Sequence, residues 1–204
     1  MPRELFVKIL EQLQDMNYGG RVSYHFYNEP TLSPNLDTFV KLTKEYLPTT
    51  RTELFSNGTL LNKARVEALA EDGIDKFTIT KHFQAEIPEL ENDLAELTPS
   101  AAEKVRMRGY KELDLTNRGG SLSLRNPLHK PPLSLPCLIP HCAMVITVKG
   151  NVIPCYEDFY QKHVMGNVQT QSLFEIWNSE KYVNFRRRLR QGDGAQRTLC
   201  QPIP

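Results

Sequence analysis

Four cysteines, Cys137, Cys142, Cys155 and Cys200, are spaced C-x4-C-x12-C-x44-C, three of them within CLIPHCAMVITVKGNVIPC. Thiols this close can hold zinc or an iron–sulfur cluster, pair as a disulfide, or simply be buried. Zinc ribbons and fingers present their ligands in C-x(2–4)-C pairs, usually two of them, and here only the first pair is close. Three thiolates around one hairpin, with a fourth after a long gap, suit an iron–sulfur cluster at least as well. Lys149-Gly150-Asn151 is a hairpin signal, and its flanking strands carry Cys142 and Cys155 towards one end. His141 and His163 are further zinc donors by type, although a plain loop role suits both.

The start of the chain bears on the disulfide reading. MPRELFVKILEQLQD mixes charges and spaces its apolar residues, unlike an export signal, so the cytoplasm is the expected compartment, where structural disulfides are rare. A net charge of +1 implies no general attraction to nucleic acid or acidic lipid. No apolar run approaches the roughly 20 residues that span a bilayer, so neither nucleic acid nor membrane is an expected partner. At 204 residues the chain suits one domain, or a domain with a small appendage.

The elements that must position these residues follow from periodicity. Residues 4–15 predict a helix with Leu5, Phe6, Ile9, Leu10 and Leu13 on one face, closed by Gly19-Gly20. RVSYHF (21–26) predicts a strand, followed by the loop YNEPTL. Ser33-Pro34 offers a helix cap, and Leu36, Phe39, Val40, Thr43 and Leu47 turn inward after it. RTELFS (51–56) predicts the next strand and SNGT a turn. Residues 62–72 predict a helix between Asn62 and Gly73, and DKFTIT (75–80) a third strand. This alternation implies parallel strands with right-handed crossovers. A sheet of this kind ordinarily opens on a strand, so the pattern expects one ahead of the first helix.

Beyond residue 83 the pattern weakens. QAEIPELENDLAEL reads as an acidic loop or loose surface helix, and YKELDLTNRGGSL (110–122) as a strand. Four prolines in RNPLHKPPLSLP (125–136) mark a linker between an α/β part and a C-terminal module. In that module, AMVITV and NVIPC predict a hairpin. Ser172 and Glu175 form a capping box for one helix over 173–190, with Leu173, Ile176, Trp177, Phe185 and Leu189 buried. Arg186, Arg187, Arg188 and Arg190 read as a solvated helix end. His25 reads as a strand residue with a satisfied hydrogen bond.

CLIPHCAMVITVKGNVIPCYEDF, continuing into MGNVQTQSLFEIWNS, resembles the SPASM/twitch module of radical S-adenosylmethionine (radical SAM) enzymes. The matching features are Cys137, Gly150 and Cys155, then Gly166-Asn167 and Glu175–Trp177. The resemblance implies an auxiliary [4Fe–4S] cluster with Cys137 and Cys155 as ligands, and Cys142 and Cys200 as further ones. YHFYNEPTLSPNL is similar to the family's Gly-Gly-Glu-Pro motif, with Tyr27 and Asn28 in place of the glycines. It implies that Asn28, Glu29 and Pro30 lie against the methionine part of SAM. LFSNGTLL resembles the segment where a serine and an asparagine approach SAM, here Ser56 and Asn57. DLTNRGGSL sits where a fifth strand would lie.

The implied fold is an incomplete (β/α) barrel of radical SAM type over 1–124, its first strand and cluster loop missing. The 125–136 linker and a SPASM/twitch-like module over 137–204 follow. The implied activity is that of an oxidoreductase or maturase acting on a peptide or small molecule, supplied with electrons by a flavodoxin or ferredoxin. One departure is decisive for chemistry: the family's C-x3-C-x2-C signature is absent, and no cysteine precedes Cys137. Three readings follow: a fragment or mis-started piece of an active enzyme, a catalytically inactive relative acting as a binding or partner protein, or a zinc-stabilised α/β protein.

Overall fold

The computed structural model describes residues 1–82, 88–109 and 136–191. The chain divides into two compact units, Phe6–Leu113 and Met1–Leu5 with Asp114–Pro204.

The first unit alternates helix and strand. Helix α1 (Arg3–Asp15) precedes β1 (Arg21–Tyr24), and α2 (Leu36–Tyr46) precedes β2 (Arg51–Ser56). Then come α3 (Lys63–Asp72), β3 (Lys76–Thr80), α4 (Pro88–Ala95), the short α5 (Pro99–Ala102) and β4 (Val105–Arg108). The strands lie in the order β1-β2-β3-β4, all parallel, as the alternation predicts. Asn62 caps α3 by accepting the Arg65 N–H at 2.8 Å, and Gly73 ends it at φ 123°, where a Cβ is strained.

One sheet face is apolar. Leu54, Phe77 and Ile79 pack against Leu36 and Val40 of α2 and Val66 and Leu69 of α3. Tyr24 belongs to the same face, its hydroxyl 2.6 Å from Thr43 Oγ1, and burial pushes that phenol's pKa well up. The alternate residues turn to the other face, as the period of two in a strand requires. There Glu53 is only 2% exposed, with Arg21 Nη1 at 3.1 Å, Arg51 Nε at 3.4 Å and Lys76 Nζ at 3.7 Å. Glu53→Ala would leave three cations facing one another. Because both arginines are largely solvated, the expected cost is about 1–3 kcal/mol, below that of a fully buried pair, read as a lower urea midpoint at unchanged slope.

Several expectations change here. Ser33 does not cap α2: it closes a 3₁₀ turn at Pro30–Leu32, and Asn35 stands at the helix start. The strand expected over 21–26 ends at Tyr24, because Phe26 and Tyr27 take positive φ angles of 115° and 50° that no strand continues. Of the two alternatives for the acidic segment, the surface helix forms, over Pro88–Ala95, and it is anchored rather than loose, since Leu90 enters the core with Leu94 and Leu97 beside it. The expected strand at 110–122 and most of the 125–136 linker fall outside the described residues.

The second unit contains the short α6 (Ile139–Cys142) and a three-stranded antiparallel sheet. Its strands are β5 (Val145–Ile146), β6 (Asn151–Ile153) and β7 (Gly166–Asn167). Gly150, at φ 80°, makes the predicted hairpin turn, its N–H donating to Thr147 O. The capping box is present, but the helix expected over 173–190 is two: α7 (Leu173–Asn178) and α8 (Glu180–Arg190). Ser179 is extended, and its hydroxyl accepts the Tyr182 N–H at 3.3 Å, so it caps a new helix rather than continuing the old one. Among the described residues no helix is long and apolar enough to cross a membrane.

Candidate functional site

At the carboxyl edge of the parallel sheet, the loops after β1 and β2 are tied together by one carboxylate. Glu29 Oε1 accepts Thr31 N–H at 3.1 Å, Thr31 Oγ1–H at 2.6 Å and Ser56 Oγ–H at 2.8 Å. Its Oε2 accepts the Asn57 N–H at 2.7 Å. Ser56 Oγ in turn accepts Gly58 N–H at 3.0 Å, and Asn57 Oδ1 takes Thr59 N–H and Oγ1–H at 2.9 and 2.7 Å. Glu29, Ser56 and Asn57, singled out separately from sequence, therefore meet. The Glu29 and Ser56 side chains bond each other and the backbone of both loops, and Asn57 closes its own turn on Thr59, which fixes the backbone of both loops as a surface. Pro30 is buried as the first residue of the 3₁₀ turn, and Asn28 is exposed. Tyr27 occupies a left-handed conformation that glycine adopts without strain.

In the second unit, Cys155 follows β6, is 5% exposed, and its Sγ accepts the Glu157 N–H at 3.4 Å. Cys137 is half-buried and Cys142 exposed, and none of the three is in a disulfide. Cys142 Sγ–H points back at the Leu138 and Ile139 carbonyls of its own turn, each at 3.5 Å. The segment carrying Cys137 and Cys142 runs antiparallel along α8. Cys137 N–H donates to Leu189 O at 3.2 Å, His141 Nε2 lies 3.2 Å from Arg186 O, and Tyr182 Oη–H reaches Ala143 O at 3.4 Å.

Residues 182, 186 and 189 share one helix face, so α8 acts as a rail for the cysteine turn. Tyr182 is fully buried; burial raises its pKa strongly, against the opposing effect of the Arg186 charge, and Cys155 and Cys142 add smaller upward contributions. Arg186 is not part of a solvated helix end: its guanidinium lies 4.3 Å from the Trp177 ring and 4.6 Å from the Tyr182 ring. Its Nη2–H donates to Trp177 O at 2.7 Å.

Asp158, 2% exposed, accepts the Lys162 and His163 N–H groups, both at 2.8 Å, and so orders the loop after Cys155. Burial lowers the pKa of His163 against the opposing charge of Asp158, so its ring is neutral at pH 7. Tyr182 and Asp158 escape the sequence reading, and Arg186 enters it only as part of a solvated helix end. Only the 182/186/189 spacing hints at Tyr182 and at the role of Arg186. Among the described residues no three His, Cys, Asp or Glu side chains converge as a metal-holding group. Cys200 lies outside the described residues. The donors are nonetheless the right kind: soft thiols outside any disulfide, one of them receiving an amide N–H at its sulfur.

Residues 137–202 match the SPASM family, described as an iron–sulfur cluster-binding domain. A curated relative from Niallia circulans, S-adenosyl-L-methionine-dependent 2-deoxy-scyllo-inosamine dehydrogenase, is 39% identical over 98% of this chain and 79% of its own length. The chain belongs to the SPASM subgroup of the radical SAM family. Its cofactor classes are accordingly an iron–sulfur cluster and S-adenosylmethionine. BtrN in complex with AdoMet and 2-DOIA superposes with a TM-score of 0.89 at 39% identity, over 98% of this chain and 78% of that one. AnSMEcpe with bound AdoMet superposes at a TM-score of 0.64 and 14% identity, over 93% of this chain and 75% of that one, a likeness of fold alone.

Proposed function

We propose that this radical SAM chain serves the oxidation of a small alcohol, with Glu29, Ser56, Asn57 and the backbone at Asn28 and Pro30 forming the SAM-facing floor. The observation that carries this reading is that the likeness to a SAM-dependent dehydrogenase runs through both units, over 98% of the chain. A polyol such as an aminocyclitol is favoured over a peptide on that ground. Residues 1–124 then form the partial barrel and 137–204 the cluster module, joined by the proline-rich linker. Cys137 and Cys155 would hold an auxiliary [4Fe–4S] cluster, with Cys142 and Cys200 completing the set. Bound there, the cluster supplies a one-electron acceptor. The chain's own task is to fix the cysteine turn on α8 and to shield the site with Tyr182. A flavodoxin- or ferredoxin-type protein and the cytoplasm are the fitting reductant and compartment.

A second reading is a catalytically inactive partner protein that retains the scaffold and one metal site. Reconstituted anaerobically, the 204-residue polypeptide is expected to hold iron and sulfide and to release no 5′-deoxyadenosine from SAM under dithionite. With a C-x3-C-x2-C segment supplied ahead of Met1, both 5′-deoxyadenosine and oxidised 2-deoxy-scyllo-inosamine are expected. Cleavage of SAM without oxidation of any polyol would overturn the polyol reading, and no cleavage even with that segment supplied would leave the partner reading standing. Zinc without iron would sink the cluster assignment.

A further inference from the structure

His25 is the first residue after β1, at the carboxyl edge of the parallel sheet, where α/β folds place their ligands. Tyr24 faces the core, so its neighbour turns to the opposite face. There the His25 ring packs on Phe55, with centroids 4.5 Å apart and planes inclined by 55°. Neither ring nitrogen has a hydrogen-bond partner among the described residues, against the satisfied strand histidine expected from sequence. The residue is exposed, yet crowding by neighbouring atoms lowers its pKa, and Arg21 lowers it further against the opposing effect of Glu53. The charged groups facing it are Arg21 and Glu53, and Glu53 is itself held by Arg51 and Lys76. Four residues further along, Glu29 fixes the loops after β1 and β2.

We propose that His25 is a substrate-binding residue: an imidazole that accepts a hydrogen bond from a hydroxyl of a polyol substrate, beside the SAM-facing loops. The proposal rests on the dehydrogenase reading above and gives it a specificity-determining contact. Three features select this ligand chemistry. The acceptor nitrogen is unspent, the ring is neutral at pH 7, and Phe55 holds its plane without using its polar atoms. A cation or an anion would find nothing better at this ring than at the neighbouring Glu53 network, whereas a hydroxyl finds an acceptor without a charge.

The test is calorimetric titration of the SAM-loaded protein with 2-deoxy-scyllo-inosamine as probe, together with the imidazole C2–H resonance of His25. His25→Phe keeps the packing on Phe55 and removes the acceptor. It should weaken the probe about tenfold, as loss of one hydrogen bond to a neutral acceptor does, and leave SAM affinity and melting temperature unchanged. His25→Gln, which restores an acceptor, should recover part of the loss. In the wild-type protein the probe should depress the His25 pKa further, because a bound hydroxyl favours the neutral ring.

Equal probe affinity in His25→Phe overturns the proposal, and so does an equal loss of SAM affinity, which would place the ring against the cofactor. Wild-type protein that binds SAM but no polyol overturns both this contact and the polyol reading. Failure to bind SAM at all would instead sink the proposed function itself.

Discussion

Cys155→Ala is expected to bring the iron content of anaerobically reconstituted protein to background. Among the three described cysteines, Cys155 is the buried one and its sulfur receives an amide N–H. Both features suit a thiolate ligand, since N–H donors stabilise charge on sulfur and burial keeps the site dry. Alanine removes one sulfur from a site 5% exposed, so the cost to folding without metal is small, about 1 kcal/mol or less. Loss of iron with an intact far-ultraviolet spectrum therefore separates ligation from misfolding. Cys137→Ala should behave alike, its backbone being fixed to Leu189 of α8. Cys142→Ala should lose less, because its sulfur is exposed and turned to its own carbonyls. Unchanged iron in Cys155→Ala would remove this residue from the ligand set.

The cysteine spacing was readable in sequence because ligand chemistry is carried by residue type and local separation. What holds the ligands was not. Tyr182 and Arg186 act through contacts to residues about forty positions away, and no local periodicity encodes a helix serving as a rail for another segment. Arg186 looks like any other arginine at a helix end until Trp177 and Tyr182 close on it.

The same contrast runs through the fold. Parallel strands β1 to β3 followed from alternating segments with strong caps such as Asn62 and Gly73. Strand β4 escaped notice because VRMR is short and half charged. Only its pairing with β3 shows Val105 and Met107 facing the core. Ser179 shows the limit of periodicity, since the apolar stripe continues across it while its hydroxyl starts a new helix. Replacement of two motif glycines by Tyr27 and Asn28 looked like one weakened match. The two differ physically, because Tyr27 carries the left-handed backbone and Asn28 has no positive φ.

Glu29→Ala should be the most damaging single change in the first unit for SAM binding. The carboxylate accepts four hydrogen bonds from two loops, and bonds to an ionised acceptor are each worth roughly twice a neutral one. Discounted for the partial exposure of Glu29, their loss is expected to cost about 2–4 kcal/mol and to free the Asn57–Thr59 turn. Glu29→Gln is the sharper test. A carboxamide has one acceptor oxygen, so satisfying Ser56 and Thr31 turns its NH2 towards the Asn57 N–H, two donors face to face. Gln should therefore keep the 3₁₀ turn and release the Asn57 loop alone. Amide exchange should quicken at Asn57–Thr59 in both variants but at Thr31 only in Glu29→Ala. SAM affinity should fall at least tenfold in both. If Glu29→Gln bound SAM like the parent while its Asn57 loop exchanged freely, the rigid floor would not be what SAM requires.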